Sequence, residues 1–395
     1  MRPFISDSHD ADTPYESRWE PFWLKEARRV TGGGSDTRAL NRLRPTVAAL
    51  SELYTKDRDA VSREIYRDPA LRAAYGLFFF PRTYARVQLV LQELEQRLGW
   101  QPPGQGALRL LDLGCGPGSA TLAVADQWPD RRVEALAIDQ NRQHLQLLQE
   151  MTKANPDRKL RLETRAGDLK KTKDFFRPTN DWHLITVGFA LGEAFRGTDL
   201  ERVLEWVRQA LASLHPQGLL VLVDPALRET SERLEQIRDV VAASGEARVW
   251  APCPHASQCP LLAAGQYWCH EVRKWQAPAS AEYLNRGLNR QIQLLKYSFL
   301  VLGHPAESSL GSEKSPTEGR LVSPVAKVSG RLVFSLCAND GAVHTIDAQT
   351  RDLDPKEKRR LLKVERGDWM RFENLVALPS GQHYRIGPET EWVTA

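Results

Sequence analysis

The sequence predicts an α/β fold: a parallel sheet with a helical region before it and a cysteine-bearing module after it. Three observations predict this. Short apolar runs alternate with amphipathic stretches from residue 107 to about 227. A glycine-rich turn follows the first run directly, and carboxylates stand at the ends of the runs that come next. At 395 residues, 42% of them hydrophobic, the chain holds material for two or three domains with real cores. Its composition divides into a helical region over 1–100, a core over 101–248, a cysteine-rich segment over 249–302, a flexible linker over 303–320 and a C-terminal β-subdomain over 321–395.

Helical spacing of Leu40, Leu43, Val47 and Leu50 predicts a helix over Ala39–Tyr54. Val87, Val90, Leu91 and Leu94 predict another over Arg82–Leu98, and the apolar stretch Ala73–Tyr84 before it is broken by Pro81. Thr31-Gly-Gly-Gly-Ser-Asp36 reads as a loop. Strands are expected at Leu108–Leu113, Val133–Ile138, Leu162–Ala166, Leu184–Val187 and Leu219–Val223. A helix over Leu200–Ala212 is expected to close at a Pro216-Gln-Gly218 turn. A further helix is expected near Ser280–Leu302. Beyond a polar segment at 303–319, Asn339-Asp-Gly341 between two β-rich runs, Arg331–Cys337 and Ala342–Ile346, is a strong hairpin signal.

A net charge of +4 over this length permits an anionic partner without requiring one. The basic clusters are Arg158-Lys-Leu-Arg161, Lys170-Lys-Thr-Lys173 and Lys356–Lys363, each also readable as a solvated face. Trp275 and Trp369 are candidates for base stacking, with buried packing as the alternative. No run approaches eighteen apolar residues, so no membrane partner is expected. The acidic first residues lack the signature of a secretory or transit peptide, which predicts a cytoplasmic protein.

The first strand runs into Leu110-Leu-Asp-Leu-Gly-Cys-Gly-Pro-Gly118. Gly114, Gly116 and Gly118 let the backbone approach a ligand closely, but the spacing is not that of a dinucleotide fold, and no Lys-Ser/Thr follows to make a Walker loop. Asp112 is placed to meet a ligand ammonium group, Asp139 a ribose diol and Asp168 an adenine amino group. Asp168 is also readable as a helix-capping aspartate, and Cys115 as a small filler of the loop. An ammonium, a diol and a purine without phosphate describe S-adenosyl-L-methionine. The pattern resembles class I methyltransferases, a Rossmann-like fold. The fourth strand's end, Leu184–Ala194, lacks the Asn/Asp-Pro-Pro-aromatic motif of amino-directed base methyltransferases. It offers one candidate acid, Glu193, which a helix start would explain equally.

The other four cysteines are Cys253, Cys259, Cys269 and Cys337, three close together and one remote. In a reducing compartment such a set favours a metal centre over disulfides, and soft thiolates take either zinc or iron–sulfur. His255 and His270 are possible additional ligands or hydrogen-bonding neighbours, and four unligated buried thiols are the remaining alternative.

Pro252-Cys-Pro-His255 with Cys259-Pro-Leu261, Tyr267-Trp-Cys-His270, Tyr297-Ser-Phe-Leu300, Leu332–Cys337 with Asp340-Gly341, and Arg366-Gly-Asp-Trp369 carry a resemblance over most of the chain. They resemble the methyltransferase-like assembly factors of the small ribosomal subunit, known from mitochondria and with bacterial relatives. Ala73-Ala-Tyr75 with Pro81 and Tyr84-Ala85 fits that family's helical N-terminal region. Val223-Asp-Pro-Ala226 departs from it, with Asp and Ala where Glu and Gly are usual. The resemblance implies a class I methyltransferase core that binds S-adenosyl-L-methionine, with a structural [4Fe-4S] cluster on Cys253, Cys259, Cys269 and Cys337. It implies small-subunit rRNA or a pre-ribosomal particle as partner.

Overall fold

The computed structural model describes residues 13–14, 17–56, 68–156, 159–171, 173, 175–176, 181–286, 288, 293–305, 315–379 and 381–394. After the two-residue strand β1 (Thr13–Pro14) come four helices: α1 (Glu20–Val30), α2 (Asp36–Lys56), α3 (Pro69–Phe78) and α4 (Phe80–Gln92), the last extended by one π turn over Glu93–Arg97. The apolar stretch around Pro81 is therefore two helices rather than one broken run. Asp68 caps α3 by accepting from the Ala70 N–H at 2.8 Å, and Pro81 sits in the first turn of α4, where its missing N–H costs nothing.

Alternation follows with β2 (Leu108–Leu113), α5 (Ser119–Gln127), β3 (Val133–Asp139), α6 (Arg142–Ala154), β4 (Leu160–Ala166), β5 (Trp182–Gly188) and the short α7 (Leu191–Ala194). The chain continues through α8 (Leu200–Ala212), β6 (Leu214–Pro225), α9 (Arg228–Ser244), β7 (Arg248–Ala251), α10 (Pro260–Ala264), β8 (Glu271–Gln276), α11 (Ala279–Asn285) and β9 (Leu294–Gly303). The last stretch holds β10 (Glu318–Leu321), β11 (Ala326–Val328), β12 (Arg331–Ala338), β13 (Val343–Gln349), α12 (Pro355–Leu361), β14 (Trp369–Glu373), β15 (Val376–Ala377), β16 (His383–Ile386) and β17 (Glu391–Thr394).

Contacts divide the chain into two units: residues 1–196 with 212–218 and 274–295, and residues 197–211 with 219–273 and 296–395. In the first, β4, β3, β2 and β5 pair in that order, all parallel. Leu108, Leu110, Leu111 and Leu113 of β2 are fully buried, as befits a central strand covered on both faces. β2 has β3 on one side and β5 on the other, so the strand order reverses there. The crevice beyond the carboxyl ends of β2 and β5 is the standard ligand position of an open α/β sheet. This is the Rossmann-like core that the alternation predicts.

In the second unit β6 pairs antiparallel with β9, and β9 with β7. Two expectations fail at the start of β6 and before β9. The expected helix near Ser280–Leu302 is a short helix, α11, followed by strand β9. Leu294–Gly303 is a nearly unbroken buried run with no polar face, and such a run packs as an interior strand. The Pro216-Gln-Gly218 turn is absent, because β6 begins at Leu214 and runs through these residues, with Pro216 and Gln217 exposed.

The C-terminal strands form a separate sheet in the order β15-β16-β13-β12-β10-β14-β17, with β11 on β12. Its core includes Leu332, Phe334, Leu336, Ile346, Met370 and Phe372. The hairpin around Asn339-Asp-Gly341 forms as the turn chemistry demands: β12 and β13 pair from Arg331↔Gln349 to Cys337↔Val343. The middle of the polar segment expected as a linker, residues 306–314, lies outside the described residues, as does Arg158. Among the described residues no helix is long and apolar enough to cross a membrane.

Candidate functional site

The glycine turn after β2 enters α5 with Gly114, Gly116 and Gly118 at φ of 68°, 53° and 92°. A Cβ on Gly114 would lie 2.4 Å from Ala190 and one on Gly118 2.2 Å from Leu148, whereas one on Gly116 would meet nothing within 4 Å. The outer two glycines are therefore required by packing, and the middle one borders open space that a ligand can approach.

Asp112 is 0% exposed. Its carboxylate accepts from the Thr121 N–H at 3.0 Å, the Thr121 hydroxyl at 2.6 Å and the Thr186 hydroxyl at 3.0 Å, tying β2 to the first turn of α5 and to β5. Burial pushes the carboxyl up to about 6, against the pull of these hydrogen bonds. The folded state thus holds this proton more tightly than the unfolded chain, where the ordinary value is 3.8. The stability it contributes is complete below that value and is lost as pH rises through about 6. Two units correspond to about 3 kcal/mol. Asp112→Asn is expected to flatten this share of the pH dependence, and denaturant melts of both forms between pH 4 and 7, without ligand, check it.

Asp139, at the end of β3, accepts from the Gly116 N–H at 2.8 Å and the Asn141 N–H at 2.7 Å, so it braces the glycine turn it flanks. Asp168, past β4, accepts from Gln140 at 3.1 Å and from the Lys170 N–H at 3.1 Å. Cys115 is 6% exposed, and burial followed by the Asp139 and Asp112 carboxylates pushes its thiol far up, which suits a packed loop residue rather than a nucleophile. Glu193 is exposed on the four-residue α7.

Two residues here are not readable as part of the site from the sequence. Tyr75 of α3 stacks on Phe79 with centroids 5.7 Å apart and faces His144 at 5.8 Å. Burial, then the carboxylates of Glu193 and Asp139, push its phenol up. Phe189, directly after β5, holds a left-handed φ of 64° with the Arg86 guanidinium 4.8 Å from its ring. A strained non-glycine residue at the carboxyl end of this strand is the kind of outlier that accompanies a binding crevice.

In the second unit the four remaining cysteines line one cavity together with Glu235, Arg238, His255, His270, Glu271 and Arg320. Cys253 follows β7, Cys259 caps α10, Cys269 precedes β8 and Cys337 lies in β12. One face of α9 grips their loops. Glu235 accepts from the Cys269 N–H at 2.6 Å and stands 4.0 Å from the Cys259 sulfur. Asp239 accepts from the Cys259 N–H at 2.9 Å. From the other side Arg320 donates to the Pro252 carbonyl at 2.8 Å and to Glu271 at 2.8 Å. Arg366 donates to the carbonyls of His270 at 2.9 Å and Trp268 at 2.8 Å. His255 Nε2 lies 3.5 Å from the Cys337 sulfur.

Burial raises all four thiols, Cys259 to about 12, and for Cys253 the Arg238 guanidinium pulls the other way. Burial pushes Glu235 up to about 7 and draws both His255 and His270 down to about 4, so both imidazoles are neutral at pH 7. Among the described residues no three of His, Cys, Asp and Glu converge as ligands of a metal ion. The donor set nevertheless fits a thiolate-bound centre: four sulfurs on one cavity wall, two neutral imidazoles, and a buried Arg238 Nε–H with no acceptor among the described residues.

Trp275 is 3% exposed and so belongs to the packed interior, while the indole of Trp369, half-buried, donates to Glu318 at 3.1 Å. In the basic clusters Lys170, Lys171, Lys356, Arg359 and Lys363 are exposed.

The chain is 25% identical over 264 residues to the human "Ribosome assembly protein METTL17, mitochondrial", a match covering 62% of this chain and about half, 52%, of that protein. Among solved structures, the plantazolicin methyltransferase BpumL complexed with a pentazolic analogue and SAH superposes with a TM-score of 0.37 at 13% identity, covering 68% of this chain and 99% of the other. The CMeT domain of the citrinin polyketide synthase gives a TM-score of 0.39 at 14% identity, with 70% of each chain covered. The family model described as "Mitochondrial small ribosomal subunit Rsm22" matches residues 69–392, and the chain belongs to that family.

Proposed function

We propose that this protein binds S-adenosyl-L-methionine and acts on small-subunit rRNA during ribosome assembly, with a structural [4Fe-4S] cluster on Cys253, Cys259, Cys269 and Cys337. The observation that carries this reading is the gathering of four cysteines from four separate segments onto one cavity, in a chain that also keeps an adenosylmethionine-type glycine turn. Membership of the family, and the ribosome-assembly name of the human relative, support the partner.

Each residue would then have a defined task. Gly116 leaves room for the backbone to approach the cofactor, Asp139 accepts from the ribose hydroxyls, and Asp168 faces the adenine amino group. Asp112 orders the turn through Thr121 and Thr186 and sets the potential for an ammonium group. Bound adenosylmethionine supplies an electrophilic methyl group. The four thiols would ligate the cluster as thiolates, and since burial keeps them protonated, loading must release protons. The exposed lysines and arginines of α12 and its flank would meet phosphate, a contact that gives affinity without sequence information.

A second reading, an assembly factor that binds the cofactor without transferring its methyl group, is favoured by the acceptor side. The candidate acid there, Glu193, is exposed on a four-residue helix.

The test begins with protein purified without oxygen. Iron and sulfide in about equal amounts, about four of each per chain, support the cluster, whereas one zinc and no colour replace it with zinc. Calorimetric titration with adenosylmethionine is expected to show binding that weakens about 10–100-fold in Asp139→Ala, the loss of a charged hydrogen-bond acceptor. Unchanged affinity would remove Asp139 from the site. Methyl incorporation into immature small subunits separates the enzyme from the silent binder.

A further inference from the structure

Arg238 is an unusual residue to find on the wall of a thiol cavity. It lies on α9, which carries no cysteine, and it is 1% exposed. Its guanidinium donates to the backbone carbonyls of His255 and Ser257, faces His255 Nδ1 at 3.2 Å and pairs with Asp239 at 2.6 Å. Both carbonyls belong to the loop between Cys253 and Cys259. The same loop meets the β12–β13 turn, where a Cβ on Gly341 would lie 3.1 Å from Ser257, and carries His255 to the Cys337 sulfur. One planar fork therefore sets the path of the segment that carries Cys253 and Cys259 and meets Cys337 through His255.

Charge is the second consideration. Four thiolates on one divalent ion leave two negative charges in excess, and such charge in a buried site must be offset. The acid Glu235 lines the same cavity, and Asp239 holds the Cys259 N–H beside it. Of the two buried arginines there, Arg320 is committed to Glu271. Arg238 shares Asp239 but keeps a buried Nε–H that no described residue accepts.

We propose that Arg238 is the positioning residue of the thiol centre: its fork fixes the 253–259 loop, and its charge offsets the thiolates once a metal is bound. The inference rests on the reading of these cysteines as a metal centre.

The full-length chain, reconstituted with iron and sulfide, or with zinc if zinc is what the wild type carries, tests it in two ways. Arg238→Gln is expected to lose metal to a chelator about tenfold faster or more, the usual cost of removing a residue that supports metal ligands. In the iron form its reduction potential is expected to move to more negative values. Arg238→Lys should restore the potential, because the charge returns, but not the slow metal loss, because an ammonium cannot span both carbonyls. A Gln variant with wild-type potential and wild-type metal loss overturns the proposal. Should that variant not fold, the Lys variant decides: loss as slow as wild type overturns it, faster loss supports it. Wild-type protein that takes up neither metal removes the metal-centre reading and this inference with it.

Discussion

With the proposed metal centre on the four cysteines, Cys337→Ser is expected to abolish metal binding and to lower the stability of the second unit by several kcal/mol. Cys337 lies near the end of β12, opposite Val343 on one side and Arg320 on the other. Serine is close to cysteine in size, so if the four thiols were merely packed together the change would cost about 1 kcal/mol, the scale of one altered buried polar group. A metal changes that scale. Structural zinc in small thiolate sites contributes roughly 10–16 kcal/mol to folding, and a centre holding segments as far apart as 253 and 337 couples its binding energy to the folding of everything between. Calorimetric melting with metal analysis on the same samples decides it. A variant that melts like the wild type would dismiss a structural centre.

Gly367→Ala is the second large effect, and it needs no metal. Gly367 adopts a φ of 105°, and an added Cβ would lie 1.4 Å from Glu271 Oε2 and 2.8 Å from Arg273 Nη2. The backbone cannot easily shift away, because the Gly367 N–H donates to the Leu321 carbonyl at 2.7 Å and its carbonyl accepts from Arg320 at 3.0 Å. The neighbours are held as well: Glu271 pairs with Arg320 at 2.8 Å, and Arg273 pairs with Asp368. Left-handed strain of about 1–2 kcal/mol adds to an overpacking cost of about 1–3 kcal/mol, so the expected loss is about 2–5 kcal/mol in urea unfolding. A loss below about 1 kcal/mol would mean that the Arg320–Glu271–Arg273 network is loose. Because Arg320 also holds the Pro252 carbonyl next to Cys253, weaker metal retention should accompany the loss.

Much of the first unit's parallel sheet, and one hairpin of the second unit, was legible in the order of residues. Strand β2 falls on the expected Leu108–Leu113, and the glycine turn, the positions of Asp112 and Asp139 and the Asn339-Asp-Gly341 hairpin are all local signals. What Asp112 does was not legible. A carboxylate just before the glycines reads as ligand-facing, yet it accepts from the hydroxyls of Thr121 and Thr186, the latter from a strand that begins 70 residues later at Trp182. Tyr75 was legible only as part of a resemblance, since an aromatic in an apolar helical stretch is indistinguishable from core until its ring is seen facing His144 of α6.

The sequence by itself determined the elements whose cause is local: strands from apolar runs between turn residues, the hairpin from its turn, and the types of donor available to a cofactor and a metal. Tertiary structure alone decided whatever depends on residues distant in the chain. It made Leu294–Gly303 a strand, because an apolar run without periodicity takes its form from the neighbour it packs on, here β6. It brought Cys337 to the cavity of Cys253, Cys259 and Cys269, and it turned Glu235, Arg238 and Asp239, ordinary charges on an amphipathic helix, into the grip on those thiols. A helical period shows that such charges share a face; only packing, with the burial that costs each unpaired charge several kcal/mol, settles what that face must hold.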